Sequence, residues 1–191
     1  MLEWIENLDR AILLAVNGFN NPALDGFMYW VSGEKSWFPL YAVLFYFLYK
    51  KFGFKASFLP IFFVGMTVAA TDQASVQLFK NVFLRYRPCH NLEIQNLIHL
   101  VNDHCGGMYG FVSSHAANTF GVATILSLIL QKRIWTILLI SWASLNCYSR
   151  VYLGVHFPLD VFCGGLLGGG IGYALYHVYS LLVEKIVPFN H

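Results

Sequence analysis

A succession of long apolar runs, most of them closed by a break or a pair of cations, restricts this chain more than any other feature. Residues 36–49 (SWFPLYAVLFYFLY) end at Lys50-Lys51, and residues 112–130 are closed by Lys132-Arg133. Residues 134–149 follow, and 158–183 are almost wholly apolar. Residues 54–79 form an unusually long run, interrupted near Asp72. Stretches of this length and character read as bilayer spans. Composition agrees: 57% of the 191 residues are hydrophobic and 12% are charged, about half the charged share of a soluble domain. The expectation is an all-α, polytopic membrane helix bundle with five to six transmembrane helices and an amphipathic N-terminal helix.

Residues 2–17 (LEWIENLDRAILLAVN) mix acids with an apolar stripe and read as an interfacial helix. Residues 20–22 break it, and the aromatic-rich piece 25–32 is too short to cross alone. Residues 1–33 are thus expected at the interface, with the N-terminal segment as a sixth span the alternative. The start has no basic segment, apolar core and small-residue cleavage site, so no secretory signal is expected. A single membrane-embedded domain over 1–191 suits the length. With alternating spans, Lys50, Lys51 and Lys55 share a side with Lys132, Arg133 and Lys185, and the positive-inside rule makes that side cytoplasmic. The polar connection 81–111 then lies outside the cytoplasm, as does the short one at 150–157. A net charge of +2 without a basic patch excludes a nucleic-acid partner, leaving the lipid bilayer and its lipids.

Three stretches on the outer side carry chemistry. Residues 149–160 (SRVYLGVHFPLD) hold Arg150, His156 and Asp160, and Pro158 suits the first position of a helix. Asp160, in that helix's first turn, can reach back to His156, and an imidazole held by a carboxylate is a nucleophile or general base. Residues 80–88 (KNVFLRYRP) place Lys80 seven residues before Arg87. Seven residues is two helical turns, which predicts both cations on one helix face, with Pro88 as the stop. Taken singly, Lys80 and Arg85 read as interface anchors. Ser113-Ser114-His115 opens a span, with serine a strong N-cap and the N–H groups of Ser114 and His115 free to bind phosphate. In the last span Gly164, Gly168 and Gly172 recur every fourth residue, which predicts close packing inside one protomer.

Together the three stretches resemble the signature motifs of the type 2 phosphatidic acid phosphatases, which share their site with vanadium haloperoxidases. The family patterns are K-x6-R-P, P-S-G-H and S-R-x5-H-x3-D. The first and third match in full. In the second, Val112 and Ser114 stand for Pro and Gly, while Ser113 and His115 remain. Serine resists backbone geometry that glycine permits, so a reshaped phosphate loop is expected. The resemblance implies a membrane lipid phosphatase acting through a phosphohistidine: His156 attacks, Asp160 holds its ring, and a cationic His115 protonates the leaving oxygen. Lys80, Arg87, Ser113, Ser114 and Arg150 would bind the phosphoryl oxygens. No carboxylate cluster accompanies the histidines, so no metal and no cofactor is expected.

The outer connection holds Cys89 and Cys105. An oxidising compartment permits a disulfide between them, with two free thiols the alternative. Irregular spacing argues against zinc at His90, His99 and His104, which read as loop residues. Asp72 is expected to hydrogen-bond in the bundle core. Relatives in the resembled family act on undecaprenyl diphosphate, lipid A phosphates, phosphatidylglycerol phosphate or phosphatidic acid. The compact outer loop favours the first two. The expected place is a bacterial inner (plasma) membrane, with the site facing the periplasm or cell exterior. Rival readings are a haloperoxidase, a lipid phosphotransferase using the same His156, and a non-catalytic lipid-binding or scrambling protein.

Overall fold

The computed structural model describes residues 2–186; the side chain of Lys185, weighed above for orientation, lies outside the described residues. The helices are α1 (Leu2–Gly18), α2 (Pro22–Ser32), α3 (Phe38–Phe52), α4 (Phe58–Phe83), α5 (Ser114–Leu130), α6 (Arg133–Tyr152) and α7 (Pro158–Ile186). Among the described residues there is no strand, only an isolated antiparallel bridge between Tyr86 and Tyr109. In lipid every backbone group must pair within its own segment, which is why runs so apolar fold as helices. Two of them, α4 and Pro158–Glu184 within α7, are long and apolar enough to cross a membrane by themselves. α3 and α5, at 15 and 17 residues, are shorter.

Helix α5 is the hub, packed against α4, α6 and α7. Its seam with α7 is the tightest, and the four-residue glycine spacing explains it. A Cβ at Gly168 would lie 2.0 Å from the Ala117 carbonyl oxygen, and one at Gly172 2.5 Å from that of Gly121. Gly164 meets the Ser113 carbonyl in the same way, so the crossing begins at the residue that caps α5. The glycines therefore serve packing within the protomer and bring the start of α5 against the start of α7. Leu126, Ile129, Leu139, Phe63 and Tyr179 fill the core toward the opposite end. There Lys51 donates to the carbonyls of Ile129 and Leu130, which puts the end of α3 level with the end of α5 and with Lys132-Arg133.

The outward faces carry Phe62, Met66, Ile137, Leu138, Phe162 and Leu166, a surface suited to acyl chains rather than water. Helix α1 follows the same rule. Its protein-facing stripe is Asp9, Leu13 and Asn17, while Trp4, Ile5, Leu8 and Ile12 face out.

Three expectations need correction. The second apolar run does not end near Phe79; α4 continues to Phe83 through a π-helical turn at Ser75–Lys80. Lys80 and Arg87 do not share a helix face, because Leu84 turns into left-handed geometry (φ 49°) and Arg87 is extended. Asp72 is half-buried and makes no side-chain hydrogen bond among the described residues, so the expected core partner is absent there.

Candidate active site

The end of the bundle away from Lys51 gathers the starts of α5 and α7 and the ends of α4 and α6. Phe157 caps α7, its carbonyl accepting from Asp160 and Val161, and Pro158 is the first helical residue. Asp160 Oδ2 reaches back to the Phe157 N–H at 3.0 Å, one half of a capping box. From that position the same oxygen lies 3.4 Å from His156 Nδ1.

The other ring nitrogen settles the tautomer. Arg87 Nη1 stands 2.9 Å from His156 Nε2, and a guanidinium only donates. Nε2 therefore carries the lone pair, and the ring proton sits on Nδ1, toward Asp160. His156 lies in the short loop between α6 and α7, 1% exposed. Burial, then the charges of Arg87, Arg150 and Lys80, and then His115, push its pKa well below the ordinary histidine value. Contacts of Arg87 with His156, Lys80 with Ser114 and Ser113 with Asp160 bring the three motifs together.

The start of α5 supplies a second element. Ser113 is fully buried and caps the helix, its Oγ accepting from Ala116 N–H while its own N–H donates to the Asp160 carbonyl at 3.0 Å. The N–H groups of Ser114 and His115 stay outside the helical ladder. Ser114, in place of the motif glycine, is helical and needs no special backbone geometry, so the expected reshaping does not arise at this residue. Its hydroxyl accepts from Lys80 Nζ at 2.6 Å and shares a 2.6 Å hydrogen bond with Ser75 Oγ. The π-turn of α4 is what carries Ser75 and Lys80 to this level. On α6, Arg150 Nη1 donates to Ser32 Oγ, and its Nε, like that of Arg87, is buried without an acceptor among the described residues.

Two participants escaped the sequence reading. Arg85, taken as an interface anchor, donates to Asp160 Oδ1 at 2.6 Å and to Asp9 Oδ2 at 2.7 Å, with its guanidinium 4.3 Å from the centre of the Phe157 ring. Burial works against the Arg85 charge, but Asp160 and Asp9 outweigh it and hold the pKa above its ordinary value. Asp9 also accepts from the Leu159 N–H at 2.8 Å, so α1 ties down the first turn of α7. The signal for Asp9 was the polar stripe at 9 and 17 on the buried side of an otherwise greasy helix.

The 84–113 connection roofs the site. Arg87 N–H donates to the Met108 carbonyl at 3.0 Å and Gly110 N–H to the Arg85 carbonyl at 2.8 Å. Gly110 lies so close that a Cβ there would sit 2.9 Å from Asp160 Oδ2 and 3.5 Å from His156 Nδ1. Cys89 and Cys105 are joined in a disulfide, with Cα atoms 6.1 Å apart, and Gly106 lies against the Arg87 guanidinium. Consumed by that bond, the sulfurs leave His90 without the thiolates a zinc site would need. His99 turns away to Asp25, at 2.9 Å.

Two cavities meet at His115. A smaller one, about 380 Å³, lies beside Arg150, His104 and Lys35. A larger one, about 600 Å³, runs from His115 down between α3, α4, α5 and α6 and is mainly apolar. A phosphate near His115 can thus have a headgroup on one side and a hydrocarbon tail on the other.

Comparison with known proteins agrees with this geometry. A family model for the PAP2 superfamily matches residues 60–184. A lipid A 4'-phosphatase of Bacteroides thetaiotaomicron is 34% identical over 187 residues, covering 97% of this chain and 83% of that protein. A second lipid A 4'-phosphatase, from Porphyromonas gingivalis, is 34% identical over 178 residues, covering 93% and 75%. Among solved structures, a transmembrane PAP2-type phosphatidylglycerolphosphate phosphatase from Bacillus subtilis shares the fold at 22% identity, with a TM-score of 0.67 over 97% of this chain and 89% of that one. Aquifex aeolicus LpxE, 26% identical, aligns with a TM-score of 0.61 over 89% of this chain and 95% of that one. With its three motifs meeting at one end of the bundle and this likeness running through almost the whole chain, the protein belongs to the PAP2 superfamily.

Proposed function

We propose that this protein is an integral membrane lipid phosphatase that removes a phosphate from an acylated lipid, lipid A in the first place, through a phosphohistidine on His156. The observation that carries the reading is the placement of His156: buried, with Nδ1 3.4 Å from Asp160 Oδ2 and Nε2 2.9 Å from Arg87 Nη1. In the proposed step Nε2 forms a bond to phosphorus while the phosphorus–oxygen bond to the lipid breaks. His115 gives its proton to the departing oxygen, and Asp160 balances the charge that appears on the His156 ring. Water, giving a proton to the now neutral His115, then attacks phosphorus as the bond from phosphorus to His156 Nε2 breaks, which frees inorganic phosphate and restores both histidines. Lys80, Arg87, Arg150 and the N–H groups of Ser114 and His115 hold the phosphoryl oxygens, since phosphoryl transfer depends mainly on positioning and charge stabilisation.

The names of the two 34%-identical relatives support lipid A over undecaprenyl diphosphate, phosphatidylglycerol phosphate and phosphatidic acid. The clustering of Lys50, Lys51, Lys132 and Arg133 at the opposite end supports a five-span reading, with residues 1–33 interfacial and the 81–111 connection and the site on the periplasmic or outer face of a bacterial inner membrane. The test is phosphate release from these four lipids in detergent, with His156→Ala as control. Release from lipid A that His156→Ala abolishes, unchanged in EDTA, is the expected result. EDTA leaves the rate intact because three side-chain cations supply the charge that a metal supplies elsewhere. Release from none of the lipids by the wild-type protein would sink the reading.

A further inference from the structure

The larger cavity is apolar along most of its length, with Ser32, Glu34, Lys35 and His115 where it adjoins the smaller one and a second polar group one turn further in. Asn118 and Thr119 on α5, and Asn146 on α6, line it a single helical turn, about 5 Å, from His115 and Arg150. Two of the three have hydrogen-bonding capacity left over. Asn118 Oδ1 lies 2.6 Å from Thr71 Oγ1, whose single proton is also within reach of the Thr67 carbonyl at 2.8 Å, and with the amide so placed its NH2 has no acceptor among the described residues. Asn146 is 3% exposed and donates through Nδ2 to the Trp142 carbonyl at 3.0 Å, leaving its Oδ1 without a donor. Thr119 is already engaged, donating to the His115 carbonyl at 2.9 Å. One helix thus offers a spare donor and the next a spare acceptor to the cavity, whose wall also holds Trp142 Nε1, a buried donor without an acceptor among the described residues.

We propose that Asn118 and Asn146 read the linkage between the phosphate-bearing headgroup and its chains. Asn118 donates to an ester or amide carbonyl, and Asn146 accepts from an amide N–H or a chain hydroxyl. The class selected is a lipid phosphate acylated within a few bonds of the phosphorus. A prenyl phosphate, hydrocarbon from its first carbon, offers neither amide a partner. This inference rests on the lipid-phosphatase reading and adds a specificity element to it.

The test compares two soluble lipids that differ only in the linkage: dioctanoyl phosphatidic acid and its dioctyl ether analogue, which lacks both carbonyls. The wild-type protein is expected to favour the ester roughly 10-fold in kcat/KM, the scale of a polar group left unmatched in a buried site. Asn118→Leu should bring that ratio toward one. Because the ratio is taken within one preparation, partial misfolding of a variant does not move it. Asn146→Leu, which removes an acceptor, should instead leave the ester-to-ether ratio near the wild-type value and lower the rate on a 3-hydroxyacyl phosphatidic acid relative to the plain acyl one. Equal rates on ester and ether in the wild type, or a preference that survives Asn118→Leu, overturns the proposal. So does a hydroxyacyl preference indifferent to Asn146→Leu. Binding of the ester and ether lipids to His156→Ala, which needs no turnover, separates the two readings. An ester preference in binding with no phosphate release by the wild type from any of the four lipids would retire the phosphatase reading alone, whereas equal binding would retire this one.

Discussion

Arg85 and Arg87 stand two residues apart in an extended segment, so both side chains point to the same side, while Tyr86 between them is 48% exposed. Arg87 faces His156 and Arg85 the Asp160 carboxylate behind it. Replacing Arg85 by methionine leaves Asp9 and Asp160 buried without their shared cation. The expected cost is roughly 3–5 kcal/mol, because a broken buried pair strands a charge. A lowered Tm in detergent and a fall in kcat larger than any rise in KM would be the sign. Asp9→Asn, which keeps the shape of the cluster, should be milder on both counts. The His156 pKa is below its unfolded value, so the unfolded chain takes up that proton first as pH falls through about 6.5. This group therefore adds a loss of stability in acid and none above neutrality. The acid limb of phosphate release due to His156 should lie well below pH 6.5, and a limb centred at 6.5 that moved with His156 substitutions would contradict the buried, neutral assignment.

At the scale of elements, the α5–α7 crossing sets the distance between the start of α5 and Asp160. Gly168→Ala pushes a methyl into the Ala117 carbonyl, whereas nothing lies within 4 Å of a Cβ at Gly170. Gly168→Ala is expected to cost about 1–3 kcal/mol, in keeping with overpacked cores, and to lower activity with it. Gly170→Ala should do neither, and thermal unfolding of the pair checks the contrast. The glycine ladder, the helix cap at Ser113, the helix start at Pro158 and the three motifs were legible because each is a local pattern with a local cause. The route from Lys80 to Arg87 was not. A π-turn and a left-handed Leu84 replace the two regular turns that the spacing suggested, and neither leaves a mark in hydropathy. Asp9 and Arg85 were missed for a different reason. Their partnership spans 76 residues and exists only once α1 docks on α7.

In the whole molecule, the roof over the site is a short loop held by few bonds. The Cys89–Cys105 bridge closes a 16-residue separation, and the loop-entropy estimate gives it about 3 kcal/mol. Reduction should therefore lower Tm and also slow turnover, since the segment it anchors orients Arg87 through Met108 and Gly106. Cys89→Ser/Cys105→Ser should match the reduced protein in both respects. Full activity after verified reduction would show that the roof keeps its shape without the crosslink.

The docking of α1 has a consequence for handling the protein. The helix offers Asp9 to Arg85 and the first turn of α7 on one side and Trp4, Ile5, Leu8 and Ile12 to its surroundings on the other. Whatever supports that greasy flank also steadies the Arg85–Asp160 pair beside His156. A micelle that peels the first helix away would leave a protein that is helical, soluble in detergent and complete in its signature residues, yet silent. Returning it to bilayer-like nanodiscs should revive it without any change in sequence.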